Sequence, residues 1–165
     1  MVDPPQVADI STGQFAKQVL TGLYSTILAQ ERGALAGEVV AIHDMRVATR
    51  RLRVALSNFA ITLSREDRLR IQSHLKNLAE ALGNVRDFDV LIETLEDALR
   101  ADPGNEAIKS IIGRLRSRRR HRQRRLATYL AGEDFASFKH EDTLLGVDVL
   151  PLSQTNEMKK HGQAA

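Results

Sequence analysis

The chain has 165 residues, a formal net charge of +3 and no cysteine. The absence of cysteine excludes disulfides, thiol catalysis and cysteine-based zinc or iron–sulfur sites. Hydrophobic residues make up 42% of the chain and aromatic residues only 4%, so a wholly disordered chain and an all-β fold are both disfavoured.

After a loose N-terminus (residues 1–12), the first predicted element is a helix running to about Arg32. Its apolar side chains repeat every four residues, at Phe15, Val19, Leu23 and Ile27. A turn is predicted from Gly33 to Gly37 because glycine interrupts helices readily. The second predicted helix runs from about Glu38 to Leu63.

Ser64 is predicted to cap a third helix that begins at Arg65, since Ser64-x-x-Asp67 is a variant of the capping box. This helix is expected to end at Leu82, because Gly83 follows as a C-terminal breaker. A fourth helix then runs to about Arg100. Its expected inward residues are Phe88, Leu91, Leu95 and Leu99.

A turn of Asp102-Pro103-Gly104-Asn105 precedes a long fifth helix, from about Glu106 to Leu130. Amphipathic helices joined by short turns predict an all-α fold, an antiparallel bundle of four to five helices spanning residues 13–140. Residues 141–165 show no sustained periodicity and are expected to form a mobile tail. No secretory signal is recognised at the N-terminus, and no apolar run reaches the roughly 20 residues that span a bilayer.

The second helix combines a core face with a separate cationic ridge. Met45, Ala48 and Leu52 share one side, at about 100° per residue. The ridge lies within about 80° on another side and consists of His43, Arg46, Arg50 and Arg53. Guanidinium groups spaced along one face suit a row of phosphates. A solvated basic face paired with neighbouring acids would give the same pattern, and the spacing alone leaves both interpretations open.

The fifth helix carries eight of the 18 arginines, between Arg114 and Arg125. Its apolar stripe is interrupted at Arg119 and Arg122, with Arg118 at the edge. Arginine points inward only when it is paired. Either internal carboxylates such as Asp87 or Asp89 neutralise these side chains, or the bundle opens there into a polar cavity for an anion. We favour the cavity.

The sequence shows no motif that requires catalysis. Asp87 and Asp89 diverge by about 200° on a helix, so they do not form a chelating pair. No phosphate-binding glycine loop, nucleophile elbow or zinc-binding histidine motif occurs. We expect no catalytic residue, no metal and no cofactor.

Three segments resemble the CHAD family, whose name stands for conserved histidine α-helical domain. They are His43-x-x-Arg46-Val47-x-x-Arg50-Arg51-Leu52-Arg53, then Leu75-Lys76-x-Leu78, then Leu82-Gly83-x-x-Arg86-Asp87-x-Asp89-Val90. The resemblance covers about residues 13–140. It implies a helical domain, associated with polyphosphate granules, that binds inorganic polyphosphate through a basic groove or pore. The absence of cysteine fits a cytoplasmic setting.

The resemblance also implies which side chains face the ligand. By motif these are His43, Arg46, Arg50, Arg51, Arg53, Lys76 and Arg86; by the character of the fifth helix they are Arg118, Arg119 and Arg122. Asp87 and Asp89 would be structural acids that hold basic side chains in place.

The family's domain usually consists of two related bundles, and this chain holds one. Three alternatives stay open: the half-domain acts alone, a homodimer completes the missing second bundle, or the chain is a fragment of the full domain. A nucleic-acid-binding basic module is the alternative function, although the few aromatic side chains offer little surface for base stacking. A metal-dependent phosphate-processing enzyme is a more distant alternative, since it needs clustered carboxylates.

Overall fold

A computed structural model describes residues 12–60 and 63–141 of the chain. These residues form six helices and no strand, which confirms the predicted all-α bundle. The helices are α1 (Thr12–Ala29), α2 (Glu31–Ala36), α3 (Val39–Asn58), α4 (Arg65–Ala101), α5 (Glu106–Leu130) and α6 (Glu133–Lys139). The predicted N-terminal segment and tail lie outside the described residues, except for Thr12 and Glu141.

Helix α4 is the longest element and organises the bundle. It packs against α3 on one flank and α5 on the other, while α1 packs against α3. The short helix α2 packs against α3 and α5, and the short helix α6 packs against α4 and α5. An ion pair of 2.9 Å between Lys139 of α6 and Glu31 of α2 joins the two short helices. Because α4 lies between α3 and α5, depressions lie along both of its flanks.

The predicted break at Gly83 is wrong, because α4 continues through it without interruption. Glycine in a helix interior costs only about 1 kcal/mol, and the apolar spacing continues across it from Leu82 to Val85, both buried. The inward residues of the following segment also differ from the prediction. Leu91 is exposed, whereas Asp89 and Ile92 are buried. Because the helix is uninterrupted, its buried face continues from Leu82 and Val85 to these two residues.

The predicted turn from Gly33 to Gly37 is also shorter in the structure. Gly33 lies within α2, and only Gly37 has a left-handed backbone, with φ of 82°. Gln123 of α5 donates a hydrogen bond of 2.7 Å to the carbonyl of Ala34. This side chain therefore satisfies an acceptor at the end of α2 and fixes that helix against α5.

Ser64 caps α4 as predicted, with its hydroxyl accepting a 3.0 Å hydrogen bond from the backbone N–H of Asp67. The periodicity of the sequence did not reveal α6. That helix buries Phe135 and Phe138 in the core, and the hydroxyl of Tyr24 donates a 2.8 Å hydrogen bond to the carbonyl of Phe138. Helix α6 is therefore part of the hydrophobic core.

An ion pair fixes the end of the described chain. Glu141 is only 5% exposed and accepts two hydrogen bonds from Arg70, of 2.8 and 3.2 Å. The hydrogen bonds to Glu141, and to a smaller extent the hydrogen bond to Asp67, raise the pKa of Arg70. Residue 141 is thus anchored to the start of α4.

Candidate anion-binding site

The basic ridge of α3 forms because two residue patterns alternate along one helix. Met45, Leu52 and Leu56 are fully buried against α1 and α4. The cationic side chains fall between these positions and are exposed; they are His43, Arg46, Arg50, Arg51 and Arg53. Core packing of the apolar stripe therefore keeps the cations on the exposed side of α3, where they line three different depressions.

One part of the ridge lines a groove between α3 and α4, which we call the α3–α4 groove. It has a volume of about 570 Å³ and is lined by Arg50, Arg53, Val54, Ser57, Gln72 and Lys76. No carboxylate among the residues that the structure describes lines it. Within the described ranges, none of its three cations forms an ion pair. The groove therefore offers uncompensated positive charge to an anion.

The other end of the same helix pair has a mixed character. His43 and Arg86 line a second depression of about 430 Å³ together with Asp89, Glu93 and Glu96. Arg86 is largely buried and lies 4.0 Å from Glu93. Acidic side chains offset the cations here, so the α3–α4 groove is the more favourable place for an anion.

Arg46 and Arg51 face a different surface. With Arg50 they border a groove of about 620 Å³ between α1 and α3, whose floor includes Phe15 and Phe59. The two rings pack edge to face, with centroids 6.0 Å apart. Arg50 is therefore shared between an apolar groove and the α3–α4 groove.

Arg119 is used inside the fold. Its Nε lies 2.6 Å from Oδ1 of Asp89, and its guanidinium also donates a 2.9 Å hydrogen bond to the carbonyl of Gly37. The two side chains are only 17% and 4% exposed. At this position the internal carboxylate neutralises the inward arginine, which was the alternative that we did not favour.

The remaining arginines of α5 do not share a cavity with α3, because α4 lies between them. Arg118 and Arg122 line a separate groove of about 470 Å³ with Phe88, Ser117, His121 and Arg125. His121 and Arg125 were absent from the sequence-based candidates. Helical spacing does predict both residues, because positions i+3, i+4 and i+7 from Arg118, which are His121, Arg122 and Arg125, share one helix face.

A neighbouring cavity of about 260 Å³ extends this surface towards α6. It includes Arg122, Arg125 and Tyr129, but also the carboxylates of Glu80 and Asp134. Burial, and secondarily Asp134, raises the pKa of Tyr129 to about 12. The tyrosine is therefore neutral and adds no charge to the surface at physiological pH.

Asp87 is exposed and Asp89 is buried, so the two carboxylates face different surroundings. In the described part of the chain, no group of three or more histidine or acidic side chains is arranged to hold a metal ion. No described helix is both long and apolar enough to cross a membrane.

A protein-family model described as CHAD domain matches residues 18–152. No curated protein and no solved structure matches the chain. The family match includes the ridge of α3, both flanks of α4 and the whole of α5.

Proposed function

The chain belongs to the CHAD domain family, whose model covers residues 18–152 of its 165, and on that premise we propose that it binds inorganic polyphosphate without cleaving it. The CHAD domain is associated with polyphosphate binding. The proposed setting is the cytoplasm, at polyphosphate granules.

The observation that carries the proposal is the α3–α4 groove. Its three cations are Arg50, Arg53 and Lys76, and no described carboxylate lines the groove to compensate them. Each guanidinium can donate two parallel hydrogen bonds to a phosphate group. A chain of phosphates matches a row of such donors better than a single phosphate does, because several contacts then form in one binding event.

The ligand-facing set that we propose is narrower than the resemblance alone implies. Arg50, Arg53 and Lys76 form its centre, and His43 and Arg86 extend it towards the mixed depression along the same helix pair. Arg119 is left out because its guanidinium is already bound by Asp89 and Gly37. Arg46 and Arg51 border the apolar groove and would contact the ligand only where it leaves the α3–α4 groove.

The test is a titration of the full chain with long polyphosphate over a range of salt concentrations. The variant Arg50→Ala/Arg53→Ala should weaken binding at least tenfold, since each charge-assisted contact contributes about 1.5–3 kcal/mol. It should also flatten the dependence of log K on log salt, by about 0.7 for each lost contact.

Arg120→Ala/Arg124→Ala is the matched control, because it removes the same charge from exposed positions of α5 that line neither groove. If both double variants bind with wild-type affinity, the α3–α4 groove is ordinary solvated charge. Competition with DNA and RNA tests the alternative ligand; displacement of polyphosphate by nucleic acid at equal charge concentration would favour it. Release of phosphate in the presence of Mg²⁺ would contradict the absence of catalysis.

A further inference from the structure

The arginines of α5 divide into paired and unpaired groups. Arg116 lies 2.6 Å from Glu96, and Arg119 lies 2.6 Å from Asp89. In contrast, Arg118, Arg122 and Arg125 form no ion pair with any described residue. Glu80 and Asp134 line the neighbouring cavity with Arg122 and Arg125 but form no ion pair with them. Like charges at i, i+4 spacing repel one another, so an anion from outside the fold would stabilise the unpaired group.

The unpaired arginines are the ones that meet in a groove. This α5 groove is lined by Phe88, Ser117, Arg118, His121, Arg122 and Arg125, and no carboxylate of the described residues lines it. Ser117 adds a hydroxyl donor. Phe88 is half-buried and adds an apolar ring to the lining of the groove.

The α5 groove is separate from the α3–α4 groove. On α4, Lys76 lines the α3–α4 groove and Phe88 lines the α5 groove. The two residues are twelve positions apart, which is about 18 Å along the helix axis. The distance exceeds the screening length of about 8 Å at physiological salt. The exposed carboxylates of Glu80 and Asp87 lie on α4 between these two positions, and they disfavour a direct path for an anion from one groove to the other.

We propose that the α5 groove is a second, independent site for an oligophosphate segment, so that one molecule holds two segments and can bridge two polyphosphate chains. This inference rests on the proposed function of the α3–α4 groove. It extends that function, since a protein with a single site per molecule coats a polyanion, whereas one with two sites per molecule connects polyanions.

Tripolyphosphate is the probe, because it is too short to span about 18 Å. Calorimetric titration of the full chain should give two bound molecules per chain. Arg122→Ala/Arg125→Ala should weaken the α5 site at least tenfold and leave one tripolyphosphate bound. Arg50→Ala/Arg53→Ala should also leave one, at the other site. Arg120→Ala/Arg124→Ala, which removes two charges from the same helix, should retain two.

The outcomes separate the two proposals. One bound tripolyphosphate in the wild type, unaffected by Arg122→Ala/Arg125→Ala and lost in Arg50→Ala/Arg53→Ala, would overturn the second site and leave the proposed function intact. Binding lost only in Arg122→Ala/Arg125→Ala would overturn the role of the α3–α4 groove instead. If Arg122→Ala/Arg125→Ala loses helicity, Arg122→Gln/Arg125→Gln keeps the length of the side chains and answers the same question.

Bridging is measured with two populations of long polyphosphate carrying donor and acceptor dyes. Wild-type protein should bring the dyes together and raise energy transfer, and Arg120→Ala/Arg124→Ala should do the same. Arg122→Ala/Arg125→Ala should bind the chains without raising the transfer. Equal transfer by this variant and the wild type would contradict bridging through the α5 groove.

Discussion

The ion pair between Arg119 and Asp89 distinguishes a structural arginine from a ligand-binding one. Arg119→Met removes the guanidinium and keeps a long side chain in the same space. Asp89 then loses its only ion-pair partner in the described structure, while its carboxylate is 4% exposed. Its second oxygen, Oδ2, is buried and has no hydrogen-bond partner among the described residues.

The expected cost is large because a buried charge is left uncompensated. Breaking a buried pair by removing one partner costs about 3–5 kcal/mol. That is a substantial share of the roughly 5–15 kcal/mol by which a domain is stable. At about 3 °C per kcal/mol for a domain of this size, the melting temperature should fall by roughly 9–15 °C. The variant also loses the hydrogen bond to the carbonyl of Gly37, while the hydrogen bond from Gln123 to Ala34 still joins α2 to α5.

Thermal and urea unfolding, followed by far-ultraviolet circular dichroism, measure the effect. Arg116→Met is the matched control, because Arg116 also joins α5 to α4 but forms a pair whose partners are 58% and 37% exposed. Exposed pairs contribute about 0–1 kcal/mol. If Arg119→Met is as stable as Arg116→Met, the reasoning is refuted. Below its melting temperature, Arg119→Met should still bind polyphosphate with wild-type affinity, and a tenfold loss would return Arg119 to the ligand-binding set.

Further substitutions test other parts of the fold. Gly83→Ala should stabilise the protein by about 0.5–1 kcal/mol in urea unfolding, because an added Cβ meets nothing within 4 Å; a destabilised variant would contradict an unbroken α4. Gly37→Ala should instead cost about 1–2 kcal/mol, since φ is 82° and the new Cβ would lie 3.1 Å from Gln123. Tyr24→Phe should lose about 1 kcal/mol with its hydrogen bond, whereas Tyr129→Phe should lose nothing at pH 7, because no described residue bonds the Tyr129 hydroxyl. Burial raises the pKa of Tyr129 from 10.0 to about 12, so this tyrosine ionises at lower pH in the unfolded chain than in the folded protein. The wild type should therefore lose stability between pH 10 and 12, and Tyr129→Phe should lose less. If the stability of both proteins falls equally over this pH range, burial of the Tyr129 hydroxyl does not affect stability. Finally, we expect two copies to pair across bound polyphosphate, so light scattering should show a doubled mass only with the ligand, and unchanged monomers would exclude pairing.

Much of the fold follows from local residue patterns. The spacing of Met45, Leu52 and Leu56 predicts both the helix and its buried face, because helical periodicity is fixed by backbone geometry. The same periodicity places Arg50 and Arg53 on the opposite, exposed side. Ser64 predicts the start of α4 correctly, since capping depends only on residues within one turn.

Other local signals failed where packing outweighed them. Gly83 is a helix breaker by propensity, yet buried neighbours on both sides keep α4 continuous, and about 1 kcal/mol is small beside their burial. Helix α6 is too short to show a periodic pattern. Phe135 and Phe138 hold it in place through contacts with residues more than a hundred positions earlier, such as Tyr24.

The sequence by itself determined the all-α class, the cationic face of α3 and the excess of arginine in α5, because each depends on residues within one helix. It could not determine which arginines are compensated. That depends on which helix lies opposite each side chain: α4 places Asp89 within ion-pair distance of Arg119, whereas Glu80 of α4 lines a cavity with Arg122 and Arg125 but forms no ion pair with either. Only the tertiary arrangement decides this, since the energy of a charge in a protein depends on the partners and solvent around it.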